Sequence, residues 1–176
     1  MTTETQHAVP TGSWNLDKVH SNVAFAVDYM SGTFQGSFAE FDARLVDGAL
    51  RGSAQVSSIQ VKDPNLEAHL QGPDFFDAEQ YPQLTFEAKD ISRSGEDLEV
   101  TGELTMKGHS EPVEIRGTVA DPQDDPFGNV RFGLKLQATV DRTKFGISWN
   151  NPLPSGEPAL QDEVTLIADL QFVKEA

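Results

Sequence analysis

Residues 97–119 read DLEVTGELTMKGHSEPVEIRGTV, and the spacing of their apolar side chains decides the fold class. Leu98, Val100, Leu104 and Met106 alternate with Glu99, Thr101, Glu103 and Lys107. Past Lys107-Gly108, Val113, Ile115 and Val119 alternate with Glu114, Arg116 and Thr118. Successive side chains of a strand point to opposite faces, so a period of two marks a strand with one apolar and one wet side. Two such runs joined by a turn dipeptide predict an antiparallel pair over a core.

The same spacing continues outward. Downstream it runs through Val130, Phe132, Leu134, Leu136 and Val140, then through Val164, Leu166, Ala168, Leu170 and Phe172; upstream it runs through Leu84, Phe86 and Ala88 and through Val23, Phe25, Val27 and Tyr29. Two segments slip phase. Phe34, Gly36 and Phe38 give way to Phe41, Ala43 and Leu45, and Ala54 and Val56 give way to Ile59 and Val61. A slip of this kind is what a β-bulge or a barrel corner produces, with Gly32, Gly36 and Gly52 nearby to permit the bend. Helix is confined to one insertion near residues 65–80, where Pro64 and Pro73 suit helix or turn starts. The reading is an all-β sandwich or barrel of about eight strands. It forms one domain over residues 13–174, behind a disordered tail at residues 1–12.

Composition narrows the function. The 176 residues carry 13 basic and 28 acidic side chains, a formal charge of −15, which repels phosphate backbones and anionic headgroups and argues against nucleic-acid partners. With no cysteine, disulfide scaffolds, thiol catalysis and cysteine-held zinc are excluded. No apolar run approaches the roughly 18 residues of a spanning helix, so stable membrane insertion is not expected. MTTETQHAVPTG at residues 1–12 has neither the charged nor the apolar part of a secretory leader, which predicts a cytoplasmic address.

No catalytic constellation has workable spacing. His7, His20, His69 and His109 are scattered, with no pair at helical metal-site spacing, and neither a phosphate loop nor a nucleophile elbow is present. Asp121, Asp124 and Asp125 look like a calcium loop until Pro126 and Phe132 fall where the glycine and the final glutamate belong. No metal and no required cofactor is expected. What stands out is the aromatic content: 11 Phe against 2 Trp and 2 Tyr, ring surface with almost no polar handle. An eight-stranded barrel is about the size at which side chains either fill the interior or leave room for one small ligand. Patterning alone leaves both open.

Longer strings add a resemblance. Trp14-Asn-Leu-Asp17 followed by His20-Ser21-Asn-Val-Ala-Phe25 resembles the opening W-x-x-D-x-x-H-S-x-x-x-F of the YceI-like family. His69-Leu70, Asp74-Phe75-Phe76-Asp77 and Tyr81-Pro82 through Phe86 resemble its H-L, F-F-D and Y-P-x-x-x-F segments. Gly102-Glu-Leu-Thr-Met-Lys-Gly108 with Pro112-Val113 is similar to its G-x-L-T-x-K/R-G turn before P-V. Phe145-Gly146-Ile147 and Gln161-Asp-Glu-Val164 complete the series. Two departures stand out. Leu66-Glu67 replace the Arg-Asp often found ahead of His-Leu, so any role of that arginine is lost or moved, and Gly108-His109-Ser110 replaces a usual G-V-T turn.

The resemblance implies an extended, antiparallel, lipocalin-like barrel enclosing a polyisoprenoid or isoprenoid quinone, and a possible homodimer. On that reading the tail lies between Phe25, Val27, Phe38, Phe86, Val100, Leu104, Phe132, Leu134, Leu136 and Leu166. Phe75, Phe76, Phe145 and Trp149 close the mouth, and His20, Ser21 and His69 either hydrogen-bond a headgroup or serve as structural ties. Three functions stay open: storage, transport or sequestration of an apolar lipid; an enzyme acting on a lipid or quinone; and a filled, ligandless barrel serving as a stress-related interaction module.

Overall fold

A computed structural model describes residues 9–175. Alternating side chains and dense turns produce twelve strands and one α-helix among these residues. The first six strands are β1 (Ser13–Leu16), β2 (Asn22–Tyr29), β3 (Gly32–Phe38), β4 (Phe41–Val46), β5 (Ala49–Gln55) and β6 (Ile59–Gln60). The helix α1 (Pro64–Gln71) follows. The remaining strands are β7 (Gln83–Ser94), β8 (Asp97–Met106), β9 (His109–Val119), β10 (Gln123–Asp124), β11 (Val130–Asp141) and β12 (Leu160–Lys174). β1 and β2 are one course interrupted by a 3-10 turn at Lys18–His20, since both pair with β12, Leu16 opposite Phe172 and Asn22 opposite Asp169. β3 and β4 likewise form one course, as do β5 and β6. Apart from the two-residue β10, eight courses follow in antiparallel order around a ring that the β11–β12 ladder closes. This is the expected eight-stranded barrel with one short helix.

Both phase slips mark real corners. The first falls at Ala39-Glu40, between β3 and β4, where Ala39 N–H donates to Ser58 O and Gln55 N–H to Glu40 O. The second is a 3-10 turn at Val56–Ser58. The glycines named for the bends act differently: a Cβ on Gly36 would stand 2.5 Å from the Phe25 ring, so its bareness makes room for an aromatic inside the barrel. Residues 1–8 of the expected disordered tail lie outside the described residues. Its last four residues are docked: Val9 is buried, Trp14 Nε1 donates to Thr11 O, Gly12 N–H donates to Asp47 Oδ1, and Asp47 N–H donates to Gly12 O.

The interior divides into two clusters. At one end Trp14, Leu45, Leu98, Val100, Phe132, Leu134 and Phe172 pack together, with Trp14 edge-on to Phe132 at 4.7 Å and Phe132 stacked on Phe172 at 5.3 Å. At the other end Phe25, Phe38, Leu70, Phe75, Met106 and Phe145 form the second cluster beneath α1.

Candidate functional site

The α1 end is closed by pieces that come from far apart in the chain. Asp63 caps the helix by accepting the Asn65 N–H at 2.8 Å, and Pro64 occupies the first turn, where its missing donor costs nothing. After Gly72 the chain folds back: Phe76 N–H donates to Leu70 O and Ala78 N–H to Gln71 O, which turns Phe75 and Phe76 into the barrel. Phe75 meets the ring of His69 at 4.9 Å and Trp149 at 5.3 Å, while Phe76 meets Phe25 and Phe38. Lys107, in the β8–β9 turn, donates through Nζ to Pro73 O at 2.6 Å and Gly146 O at 3.4 Å, and so ties three segments of the rim together. Gly146 is in the left-handed region (φ 75°) and packs closely on His109.

Inside this rim lies a cavity of about 410 Å³, bounded by Phe25, Val27, Tyr29, Phe34, Phe38, Leu66, Leu70, Phe75, Phe76, Leu84, Met106, Ile147, Trp149, Leu160, Val164 and Leu166. Three further lining side chains are acidic or basic, Asp63, His69 and Arg142, and each is already engaged. His69 Nε2 lies 3.1 Å from Asp74 Oδ2. Arg142 is buried and donates to Gln161 O at 2.9 Å and to Ile147 O and Trp149 O at 2.8 Å. Burial pushes its guanidinium pKa down from its ordinary value, against the opposing pull of Asp162 and Asp141. It pins the segment that carries Trp149 to the start of β12. Deeper in the barrel a second cavity of about 160 Å³, lined by Phe86, Leu104, Leu136 and Leu170 among others, shares Phe38, Leu84, Met106 and Leu166 with the first.

The residues proposed from sequence therefore separate. Phe25, Val27, Phe75, Phe76, Trp149 and His69 line the main cavity, Phe86, Leu104 and Leu136 the deeper one, and Phe38 and Leu166 both. Val100, Phe132 and Leu134 belong to the filled cluster at the far end. Phe145 is buried against the core beneath the rim. His20 and Ser21 line neither cavity. The His20 ring is exposed and its Nδ1 lies 2.7 Å from Asp17 Oδ2; Ser21 Oγ donates to Asp17 O and accepts from Gln171 N–H.

Asp17 is the hub of that second constellation. Arg131 donates to its Oδ2 at 2.7 Å and to Asp125 Oδ2 at 2.8 Å, fastening the β1–β2 break to β11 and the loop before it. Burial alone would raise the Asp17 pKa, but the hydrogen bonds from His20 and Arg131 and their charges outweigh it and hold the carboxyl at about 2. This is a structural latch, and it shares no residue with the rim.

A wider hollow of about 930 Å³ opens on the outside, where the β9–β11 ladder stops at Ile115 opposite Ala138. Glu111, Glu114, Lys135, Asp141 and Lys144 stand along its walls, so it is a wet, charged groove, and the smaller, more apolar cavity under the rim is the better ligand site. Sequence reading missed Arg142, Leu84, Met106, Phe34 and Leu66 on the lining. Leu84 and Met106 share the inward phase of Phe86 and Leu104 and were within reach of the periodicity. Arg142 gave no signal, because a charged residue after a strand reads as a solvated turn.

Comparison with known proteins agrees with this architecture. Residues 14–172 match the YceI-like domain. Over 172 residues the chain is 32% identical to UPF0312 protein SERP2314 of Staphylococcus epidermidis, covering 90% of this chain and 96% of that protein. The crystal structure of BcnA from Burkholderia cenocepacia superposes with a TM-score of 0.77 at 26% identity, covering 89% of this chain and 98% of the other. A structure described as a polyisoprenoid binding domain from Saccharophagus degradans shares the fold, with a TM-score of 0.72 at 11% identity over 92% of this chain and 98% of that one. The chain belongs to the YceI-like domain family.

Proposed function

We propose that the protein binds a long-chain apolar lipid, a polyisoprenoid or an isoprenoid quinone, with the tail in the interior cavity and the headgroup at the α1 rim. The observation that carries this reading is the cavity of about 410 Å³ under the rim, whose wall is mostly aromatic and aliphatic. Such a surface gains from taking up hydrocarbon: at about 0.8 kcal/mol per CH₂, each five-carbon unit contributes roughly 3 to 4 kcal/mol gross, before the cost of ordering the tail. Polar selection has a place at the Tyr29 hydroxyl and where Asp63, His69 and Arg142 stand. Those three are held by helix capping, by Asp74 and by backbone carbonyls, an arrangement suited to framing a headgroup rather than to moving protons. The Saccharophagus degradans domain, described as polyisoprenoid binding, lends the same fold to the same reading.

The role is storage, transport or sequestration. Organic extraction and mass spectrometry of freshly purified protein should recover a prenyl or comparable long-chain compound near one per chain. Protein that purifies empty and takes up no prenyl alcohol in solution defeats the proposal.

A further inference from the structure

Among the described residues, four other than glycine have positive φ: Met30, Asp47, Asp77 and Lys107. Aspartate tolerates the left-handed region, and Lys107 ties Pro73 O to Gly146 O. Met30 has neither reason. It holds φ 53° in the two-residue turn between β2 and β3, where glycine or asparagine is the usual choice, and its side chain is 59% exposed. The turn is pinned, because Met30 N–H donates to Ala159 O at 2.8 Å, at the entry to β12. Tyr29 beside it is 44% exposed and lines the cavity of about 410 Å³, whereas Met30 stands outside that lining. An apolar tip is therefore held outward at the edge of an apolar cavity, in a backbone conformation its own residue type disfavours. Strain that packing does not require points to a use outside the fold.

Resting on the lipid reading, we propose that the Tyr29-Met30 turn is where the protein docks on a zwitterionic phospholipid bilayer to take up or release its lipid. A long-chain lipid resides in bilayers, and its transfer is fastest where the cavity wall touches the acyl region, so that the tail need not cross water. Tyr29 suits the boundary, with a ring for the apolar side and a hydroxyl for the wet one. One methionine and one tyrosine edge give too little apolar area for a lasting anchor, which fits a contact made and broken at each exchange. Charge selects the surface. Around the mouth exposed Asp28, Asp63, Asp74 and Glu157 outnumber Lys62 and Lys144, and the whole chain carries −15, so an anionic bilayer is repelled.

The test loads the purified full chain with an isoprenoid quinone from phosphatidylcholine vesicles, followed by quenching of the fluorescence of Trp149, which lines the cavity. Met30→Asn suits the positive φ but removes the apolar tip, so it should keep the urea midpoint and the final occupancy while loading about tenfold more slowly. Met30→Leu should load at close to the wild-type rate. Replacing about a third of the lipid with phosphatidylglycerol should slow wild-type loading several-fold, and added salt should restore it. If folded Met30→Asn loads as fast as the wild type, or the anionic lipid speeds loading, the docking site is wrong while lipid binding stands. A smaller species in sedimentation equilibrium of Met30→Asn would make the tip a contact between copies and overturn the bilayer reading equally. If the quinone never enters the wild-type protein, even when added from ethanol, the lipid reading itself fails and takes the docking site with it.

Discussion

The two ends of this barrel are built from the same kinds of residue in the same alternating pattern, yet one is solid and the other hollow. The difference lies in the seams. Around Trp14 and Phe172 the courses are zipped: β1 pairs with both β4 and β12, β4 with β5 over six residue pairs, and the β11–β12 ladder, which runs the whole barrel, starts there with Arg131 opposite Val173 and Phe132 opposite Phe172. Toward α1 two seams come apart. The β5–β7 ladder ends at Gln55 opposite Gln83, and the β9–β11 ladder at Ile115 opposite Ala138. The wall there is completed by α1, the Phe75-Phe76 fold-back and the Arg142–Phe145 turn instead of by strands. An unzipped wall leaves room inside it: Phe25 lies 6.0 Å from Phe34 and 6.4 Å from Phe76 between ring centroids along the cavity of about 410 Å³, under a rim where His69, Phe75 and Trp149 meet at 4.9 to 5.3 Å.

Matched truncations at the two ends put this contrast at risk. Phe132→Ala removes the ring that joins Trp14 to Phe172 and should cost about 3 to 5 kcal/mol, seen as a lower urea midpoint at constant slope. Phe34→Ala, whose half-buried ring already faces a cavity, should cost about 1 to 2 kcal/mol, because it enlarges a void rather than creating one. Leucines sharpen the comparison, since the deleted atoms are identical. Leu134→Ala in the filled cluster should exceed Leu166→Ala, which faces both cavities, by about 1 to 2 kcal/mol. Equal losses at the two positions would show that the interior is uniformly packed, and the hollow end would have to be abandoned.

Much of this was open to a sequence reader, and the limit has a physical cause. The period of two locates strands because burial is one-sided, and the phase slips at Phe38/Phe41 and Val56/Ile59 locate the corners because a bend must change which residues face inward. Which stretch of an inward stripe faces a void is set by ladder lengths between courses remote in sequence. Phe34 and Phe132 therefore look alike in the sequence. Motif letters have the same weakness: His20, Ser21 and His69 are equally prominent, but only His69 reaches the cavity, while the other two are engaged by Asp17. Arg142 was hidden because nothing local announces that four carbonyls will surround a guanidinium.

The latch at Asp17 should be felt on the zipped side and through pH. With its carboxyl held at about 2 in the folded protein against an ordinary 3.8, folding is favoured by this group at pH above 3.8. That contribution is lost as pH falls from 3.8 through about 2, because protons then bind the unfolded chain first. Asp17→Asn removes the ionic acceptor for Arg131 and His20 and should cost about 1 to 2 kcal/mol at neutral pH. Its stability should also fall less steeply in acid than that of the wild type, as followed by urea midpoints at a series of pH values. Identical acid slopes would mean that the carboxyl is not held down by its partners.

The smallest effect tests the hollow end alone. Lys107→Met keeps the length and apolar stem of the side chain but deletes the donor that spans Pro73 O and Gly146 O, at a cost of about 1 kcal/mol. Because the Phe75-Phe76 fold-back is held by turn hydrogen bonds and not by a strand ladder, the loss should stay local. Hydrogen exchange should quicken at the amides of Phe75, Phe76 and Asp77, whose partners are Gly72 and Leu70 carbonyls, while those of β11 and β12 beside Phe132 and Phe172 stay protected. A lipid held under that rim should also leave several-fold faster. Faster exchange around Trp14 and Phe172 instead would mean that the two ends open as one unit, and the division between a rigid stop and a loosely fastened mouth would not hold.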